Sequence, residues 1–242
     1  MRGLFVTGTD TGVGKTVLSA ALLAAMAAAG ERVRAFKPVV TGLDEQADAD
    51  ARDAWPADHI LLGVAAGMAP EEVSPLLFGP AVSPHLAAAL AGQPIDSQGL
   101  IAAARASVAG ASGGEDDGER TLIVEGVGGL LVPLREDYSV CDLAVALGLP
   151  LLIAARPGLG TINHTLLTLR AARAAGLDVR AIVLTPWPGR PSAMESSNRE
   201  TIARIGEVEV GVLGRVESPV RADLARAGAT LAWHRWLRPA LA

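Results

Sequence analysis

Gly8-Thr9-Asp10-Thr11-Gly12-Val13-Gly14-Lys15-Thr16 is the stretch that decides the fold. An apolar run, Leu4 to Thr7, precedes it, and an alanine- and leucine-rich run follows to Ala29 and stops at Gly30. The pattern predicts a short buried strand, a glycine turn, then a helix with Lys15 and Thr16 at its start. In such a turn the backbone N–H groups and the helix N-terminus face an anion. The lysine reaches terminal phosphates and the threonine hydroxyl ligates Mg²⁺. This is a P-loop with one departure: five residues separate Gly8 from Gly14, where the usual spacing has four. An ordinary glycine turn would not explain Lys-Thr at the helix start. Gly12, Val13, Gly14, Lys15, Thr16 and Val17 are therefore read as nucleotide-binding.

Outward from the loop, strand and helix patterns alternate. Arg32–Lys37 is a predicted strand stopped by Pro38, and the acidic stretch Thr41–Pro56 reads as a mobile loop. Asp58 opens a helix to about Ala66, Ser83-Pro84-His85 opens another, and Asp96 caps one that reaches about Ala109. Ala111–Arg120 is a glycine-rich charged surface loop. Thr121–Glu125 is a strand that runs into Gly126-Val127-Gly128-Gly129, and Leu149–Ala154 is another, followed by a helix over Thr161–Ala175. A strand over Val179–Leu184 is expected to break at Thr185-Pro186-Trp187-Pro188. A helix around Glu195–Ile205 and a strand at Val210–Leu213 complete the pattern. The expected fold is α/β: a single doubly wound, mostly parallel sheet flanked by helices, in one catalytic domain over residues 1–242.

Composition narrows the function classes. The net charge is −5 and no basic stripe points to nucleic acid. The apolar run Val17–Ala29 is too short to span a bilayer. A strand begins within three residues of the N-terminus, so no signal peptide is expected, and the one cysteine, Cys141, fits a reducing compartment. The expectation is a cytoplasmic protein acting on small molecules, with no nucleic acid or membrane partner.

All but two of the 21 basic residues are arginine, and the two lysines are Lys15 and Lys37. A bias toward arginine explains the arginines but not why these two lysines remain. An ammonium is a compact charge on a slim stem and fits where a planar guanidinium does not, so both lysines are read as functional. Replacing Lys37 is expected to abolish turnover without unfolding the protein. A Mg²⁺ site also needs a carboxylate at a neighbouring strand end, and Glu125 fits because glycines follow it. Asp58 is the second candidate metal ligand, although helix capping explains it equally well. The four histidines show no metal spacing, and His85 and His164 are expected to hold loops in place.

Five segments in order make the reading specific: Gly8-Thr9-Asp10-Thr11; Lys37-Pro38 with Thr41-Gly42; Ser83-Pro84-His85; Val124-Glu125-Gly126-Val127-Gly128-Gly129; and Leu159-Gly160-Thr161-Ile162-Asn163-His164. Together they resemble the dethiobiotin synthetases, over Leu4 to about Leu213. The resemblance implies ATP- and Mg²⁺-dependent carboxylation and ring closure of 7,8-diaminopelargonate with CO₂. It implies catalytic roles for Lys15 and Lys37, with Thr16, Asp58 and Glu125 on the metal. Thr11, Thr41, Ser83 and Asn163 would hold substrate, Asn163 from the partner subunit of a homodimer. Gly126, Val127, Gly128, Thr185, Val216 and Glu217 would complete the nucleotide site. Many members have an asparagine where this chain has Thr185; a hydroxyl cannot give an amide's paired donor and acceptor, so relaxed base selectivity is expected. Trp187 stacks on the base or packs as a loop anchor.

Two rivals share the P-loop. A cobyrinate-type amide ligase would carry a glutamine amidotransferase domain, for which this chain has no room. A partitioning or septum-positioning ATPase would have an extra lysine at the start of the loop, where this chain reads Gly-Thr-Asp-Thr.

Overall fold

The computed structural model describes residues 1–47, 55–109 and 119–238. In chain order the elements are β1 (Gly3–Gly8), α1 (Lys15–Ala28), β2 (Val33–Phe36), α2 (Leu43–Ala47), α3 (Asp58–Ala66), α4 (Pro70–Val73), α5 (Pro84–Ala91) and α6 (Ser97–Ala106). There follow β3 (Thr121–Glu125), β4 (Pro133–Arg135), β5 (Tyr138–Ser139), α7 (Val140–Leu147), β6 (Leu151–Ala155) and α8 (Thr161–Ala174). The last are β7 (Val179–Trp187), α9 (Ala193–Gly206), β8 (Glu209–Gly214), α10 (Arg221–Gly228) and α11 (Trp233–Trp236). Asp48, Asp50 and Asp53 of the acidic stretch, and nearly all of Ala111–Arg120, lie outside the described residues.

Six strands form one sheet in the order β2-β3-β1-β6-β7-β8, and every pairing within it is parallel. The chain builds first to one side of β1 and then to the other, which makes the sheet doubly wound. Because the strands alternate faces, each feeds two cores. Leu4 and Val6 of β1, Leu152 and Ala154 of β6, and Ala181 and Val183 of β7 pack under α1, α3 and α10. Phe5, Ile153, Ile182 and Leu184 face the opposite layer, with residues of α5 to α9. With both faces covered, the strands read as continuous apolar runs. Among the described residues no helix is long and apolar enough to cross a membrane.

Four local expectations change, the first in the acidic stretch, where Leu43–Ala47 forms the helix α2 rather than a loop. β7 does not stop at Leu184; it continues to Trp187, with a register shift between Leu184 and Trp187. Pro186 has no N–H to give to the ladder and falls in that irregular stretch. Asp58 does not cap α3, whose N-cap is Ala57 without a side-chain bond. The helices α4, α7, α10 and α11 and the pair β4-β5 were not expected, although Ser139 and Asp142 form a capping box at the start of α7.

α1 packs closely on α10. A β-carbon at Gly228 would lie 2.0 Å from the Ala21 carbonyl oxygen and 2.9 Å from Ala25 Cβ. Gly228→Ala is therefore expected to force the two helices apart and destabilise the protein by about 1–3 kcal/mol, as overpacking does. The check is a lower urea midpoint at unchanged slope.

Candidate active site

The parallel sheet brings the C-terminal ends of all six strands to one edge, where crevices for ligands open. From β1 the chain turns through Gly12 (φ 69°) and Gly14 (φ 90°) into α1. A side chain at Gly14 is doubly opposed, by this left-handed backbone and by Thr185 Cγ2, which would sit 2.9 Å from its β-carbon. The Thr11 N–H is held by the Asp10 carboxylate at 2.7 Å. Beyond it, among the described residues, the backbone N–H groups of Gly12, Val13, Gly14, Lys15 and Thr16 meet no acceptor in the chain. Successive unspent N–H groups at a helix N-terminus make an anion cradle.

Beside the cradle lies a buried ionic cluster. Lys37 follows β2 directly and is only 2% exposed. Its ammonium lies 2.5 Å from Glu125 Oε1 and 2.7 Å from Asp58 Oδ2, and it also donates to the Gly126 carbonyl at 3.2 Å. The Thr16 hydroxyl is 2.8 Å from Asp58 Oδ1 and 2.9 Å from Glu125 Oε1, with one proton to donate between them. Burial opposes the charge on Lys37, but the two carboxylates outweigh it and its pKa is raised. Burial pushes the Glu125 carboxyl up, against the pull of Lys37. At Asp58 burial is overcome by Lys37 and the Thr16 hydroxyl, and its pKa is lowered. Lys15 donates to the Asp10 carbonyl at 2.9 Å. Its pKa is lowered to about 8, first by burial and then by the nearby Lys37 charge.

The donor set fits Mg²⁺. Glu125 Oε2 is buried with no hydrogen-bond partner, so this carboxylate has an unused lone-pair side next to the Thr16 hydroxyl. No group of three or more His, Cys, Asp or Glu side chains is arranged for a metal among the described residues. Mg²⁺ suits so few protein ligands, because it takes one or two carboxylates and completes its shell with water and phosphate.

A cavity of about 620 Å³ opens over both features. Thr11, Gly12, Gly14, Lys15, Thr16, Val17, Lys37, Thr41, Asp58, Ser83, Val127 and Gly128 of the sequence reading all line it. Glu125 and Gly126 do not line it themselves but bond residues that do, Glu125 with Thr16 and Lys37 and the Gly126 carbonyl with Lys37. Val13 is buried below the turn, packed toward Gly8. The remaining wall, Val39, Ala81, Val82, Pro84 and Val132, is apolar. Four residues of the reading lie elsewhere. Thr185 is buried behind Gly14, Val216 belongs to the core under α1, and Glu217 is exposed. Asn163 is exposed on α8 and lines a separate cleft of about 450 Å³ with Leu159 and Arg170. Trp187 packs against the core of the opposite face, near Ala203 and Val210, and so is an anchor rather than a base platform. His85 and His164 are exposed, and neither side chain has a partner among the described residues.

A family model described as an AAA domain matches residues 2–225. The chain is 41% identical over 220 residues to the ATP-dependent dethiobiotin synthetase BioD of Anaeromyxobacter sp. (strain Fw109-5), covering 86% of this chain and 91% of that one. It is 35% identical to the protein of that name from Bacillus subtilis (strain 168), with 87% and 85% covered. The chain belongs to the dethiobiotin synthetase family. The fold reaches further than that family. The cell division ATPase MinD of Pyrococcus furiosus superposes with a TM-score of 0.55 at 18% identity, over 97% of this chain and 98% of that one. MinD of Pyrococcus horikoshii, complexed with Mg-ADP, gives 0.54 at 15%, over 97% and 95%. These likenesses show the fold alone; sequence identity ties the chain to the dethiobiotin synthetases.

Arg156 stands outside the sequence motifs. Its Nε and Nη2 donate to the Gly12 carbonyl at 3.2 and 3.0 Å. An arginine just past the strand next to β1 was the available signal.

The buried cluster revises one expectation. Lys37→Ala leaves Glu125 buried without its counter-ion, and breaking a buried pair typically costs ~3–5 kcal/mol. That variant is expected to lose stability as well as turnover. Lys37→Arg keeps the charge but cannot seat a planar fork between the two carboxylates. Its turnover is expected to fall two decades or more, from ~3 kcal/mol of lost charge contact. Steady-state kinetics on folded Lys37→Arg decides this; retention above about a tenth of wild-type turnover would exclude the role (about 1.4 kcal/mol).

Proposed function

We propose that this chain is an ATP-dependent cyclo-ligase that converts 7,8-diaminopelargonate and CO₂ to dethiobiotin, with ADP and phosphate as co-products, in biotin biosynthesis. Family membership supports the reaction. The single observation that carries the site is the P-loop and a second, ion-paired lysine facing one cavity with an apolar wall. Such a cavity suits a triphosphate at one end and an alkyl diamine at the other. One nucleotide-binding catalytic domain over residues 1–242 does this work, in the cytoplasm.

In the proposed sequence one amine of the substrate adds to CO₂ and loses a proton, giving a carbamate. A carbamate oxygen attacks the γ-phosphorus and ADP leaves. The second amine then attacks the carbonyl carbon, phosphate departs, and the cyclic urea closes. The protein supplies position and charge rather than a nucleophile. The N–H groups from Gly12 to Thr16 hold the phosphates. Lys15 and Lys37 steady the negative charge shared by carbamate and transferring phosphoryl. Thr11, Thr41 and Ser83 hold the diamine side against the valines. Thr16, Asp58 and Glu125 would hold Mg²⁺, which when bound neutralises charge on the β- and γ-phosphates. The glycines around Val127 let the substrate approach the backbone.

Asn163 belongs to this scheme only through a second copy. Leu159, just before α8, is 94% exposed, which supports a homodimer in which Asn163 reaches the partner's substrate tail. Phosphate release is expected to require diaminopelargonate and bicarbonate together, and Asn163→Ala to raise KM for the diamine more than for ATP. ATP hydrolysis at full rate without the diamine would instead describe a switch ATPase and overturn this reading.

Base recognition is proposed near Thr185, Val216 and Glu217. With Thr185 buried against Gly14 and Trp187 turned to the other face, no side-chain amide stands at the end of β7. CTP is therefore expected to support kcat/KM within roughly tenfold of ATP, a difference near 1.4 kcal/mol. Parallel assays with ATP, CTP, GTP and UTP check it, and a preference for ATP above about a hundredfold would mean that backbone groups read the adenine.

A further inference from the structure

We propose that Arg156 is a positioning residue of the phosphate loop, acting through the Gly12 carbonyl to aim the Val13 N–H into the cradle. The inference rests on the reading of that loop as a nucleotide site. β6 pairs with β1 so that Ala154 lies beside Gly8. The chain leaving β6 therefore runs alongside the chain leaving β1, and Arg156, one residue past β6, arrives at the loop. Two of its N–H groups converge on one oxygen, the Gly12 carbonyl, at 3.2 and 3.0 Å. Charge-assisted bonds of this kind are stronger than neutral ones. Among the described residues no carboxylate competes for this guanidinium.

The consequence follows from the planarity of the peptide. The carbonyl of Gly12 and the N–H of Val13 share one trans peptide unit and point in opposite directions. Holding the carbonyl outward against Arg156 turns the Val13 N–H the other way. That N–H meets no acceptor in the chain, among the described residues. Gly12 fits the arrangement as well. Its φ is 69°, and a β-carbon there would lie 3.0 Å from Arg156 Nη2, so any larger residue at position 12 would press on the clamp.

Arg156 is an exposed side chain, so Arg156→Ala is expected to fold and melt like the wild type. The experiment titrates the intact wild-type and Arg156→Ala proteins with MgADP and with MgATP by calorimetry. It also follows the Val13 backbone amide resonance during the MgADP titration. The expected result is binding of both nucleotides weakened about tenfold and by the same factor. KM for the diamine stays unchanged, and the ligand-induced shift of the Val13 amide is reduced. Arg156→Lys should recover part of the affinity, since an ammonium can still donate to the carbonyl. Equal nucleotide affinity in wild type and Arg156→Ala overturns the proposal. So does a loss confined to MgATP, which would place the guanidinium on the terminal phosphate itself. A wild-type protein that binds neither nucleotide overturns the loop reading, a failure distinct from both.

Discussion

A lysine removed from water between two carboxylates is the constraint on which the rest of the site depends. Burying an ammonium is tolerable only with counter-charge and hydrogen bonds in place, and Lys37 has Glu125, Asp58 and the Gly126 carbonyl. Those partners come from the end of β3, the start of α3 and the glycine run. Satisfying one side chain therefore fixes three segments against the P-loop, and the Thr16 hydroxyl ties the loop's own helix to the same two carboxylates. The cluster is balanced before any ligand arrives, with two lysines facing two acids. The lowered pKa of Lys15, about 8, shows what the balance leaves undone. Lys37 is fully engaged by acids, whereas Lys15 is buried beside a like charge and has only a backbone carbonyl. A bound anion beside Lys15 would supply the missing negative charge and favour its protonated form.

The parallel sheet turns a set of sequence-distant residues into one edge. Gly8, Lys37, Glu125, Arg156 and Thr185 stand at or near the ends of β1, β2, β3, β6 and β7, and all point their following loops the same way. In β7 the face alternation that buries Ala181 and Val183 under α1 also sends Thr185 to that side. It lands on Gly14, where its methyl group occupies the space a β-carbon would need. Thr185 is therefore a wall of the loop at Gly14. Trp187 escapes the same alternation only because the ladder slips between Leu184 and Trp187.

Most of the sheet and the phosphate loop were legible in the sequence because they rest on local signals. Apolar runs bounded by glycine placed β1, β3 and β6 within two residues, and the Gly-Lys-Thr turn located α1. Glu125 was found by its position at a strand end before glycines. What was not legible depends on pairing and packing. The sequence left Asp58 open between capping and ligation; the structure gives the N-cap to Ala57 and brings the Asp58 carboxylate to the Thr16 hydroxyl. The persistence of β7 through Pro186 depends on β8, which sequence periodicity does not see. Arg156 had only its place just past a strand to mark it, because its partner is a backbone carbonyl 144 positions away and an arginine among so many carries no compositional signal. Asn163 illustrates the opposite case: its motif was plain, yet it lines a cleft separate from the cavity.

The alanine-rich composition serves the same site. Lys15 and Thr16 stand at the N-terminus of α1, so the geometry of the glycine turn depends on how firmly that helix is seated. Ala20, Ala21, Ala24 and Ala25 are buried on it, and small side chains let neighbouring backbones approach closely. Gly228 of α10 takes this to its limit, with no room for a β-carbon against Ala21. On the sheet side Leu18 and Leu22 fill the space over β1. Alanine also has the highest intrinsic helix propensity and loses no side-chain entropy on burial. A helix built this way lies close to its neighbours on several sides and has few alternative packings. Large rings at this contact would hold α1 away from α10, and Lys15 and Thr16 at its start would move with it.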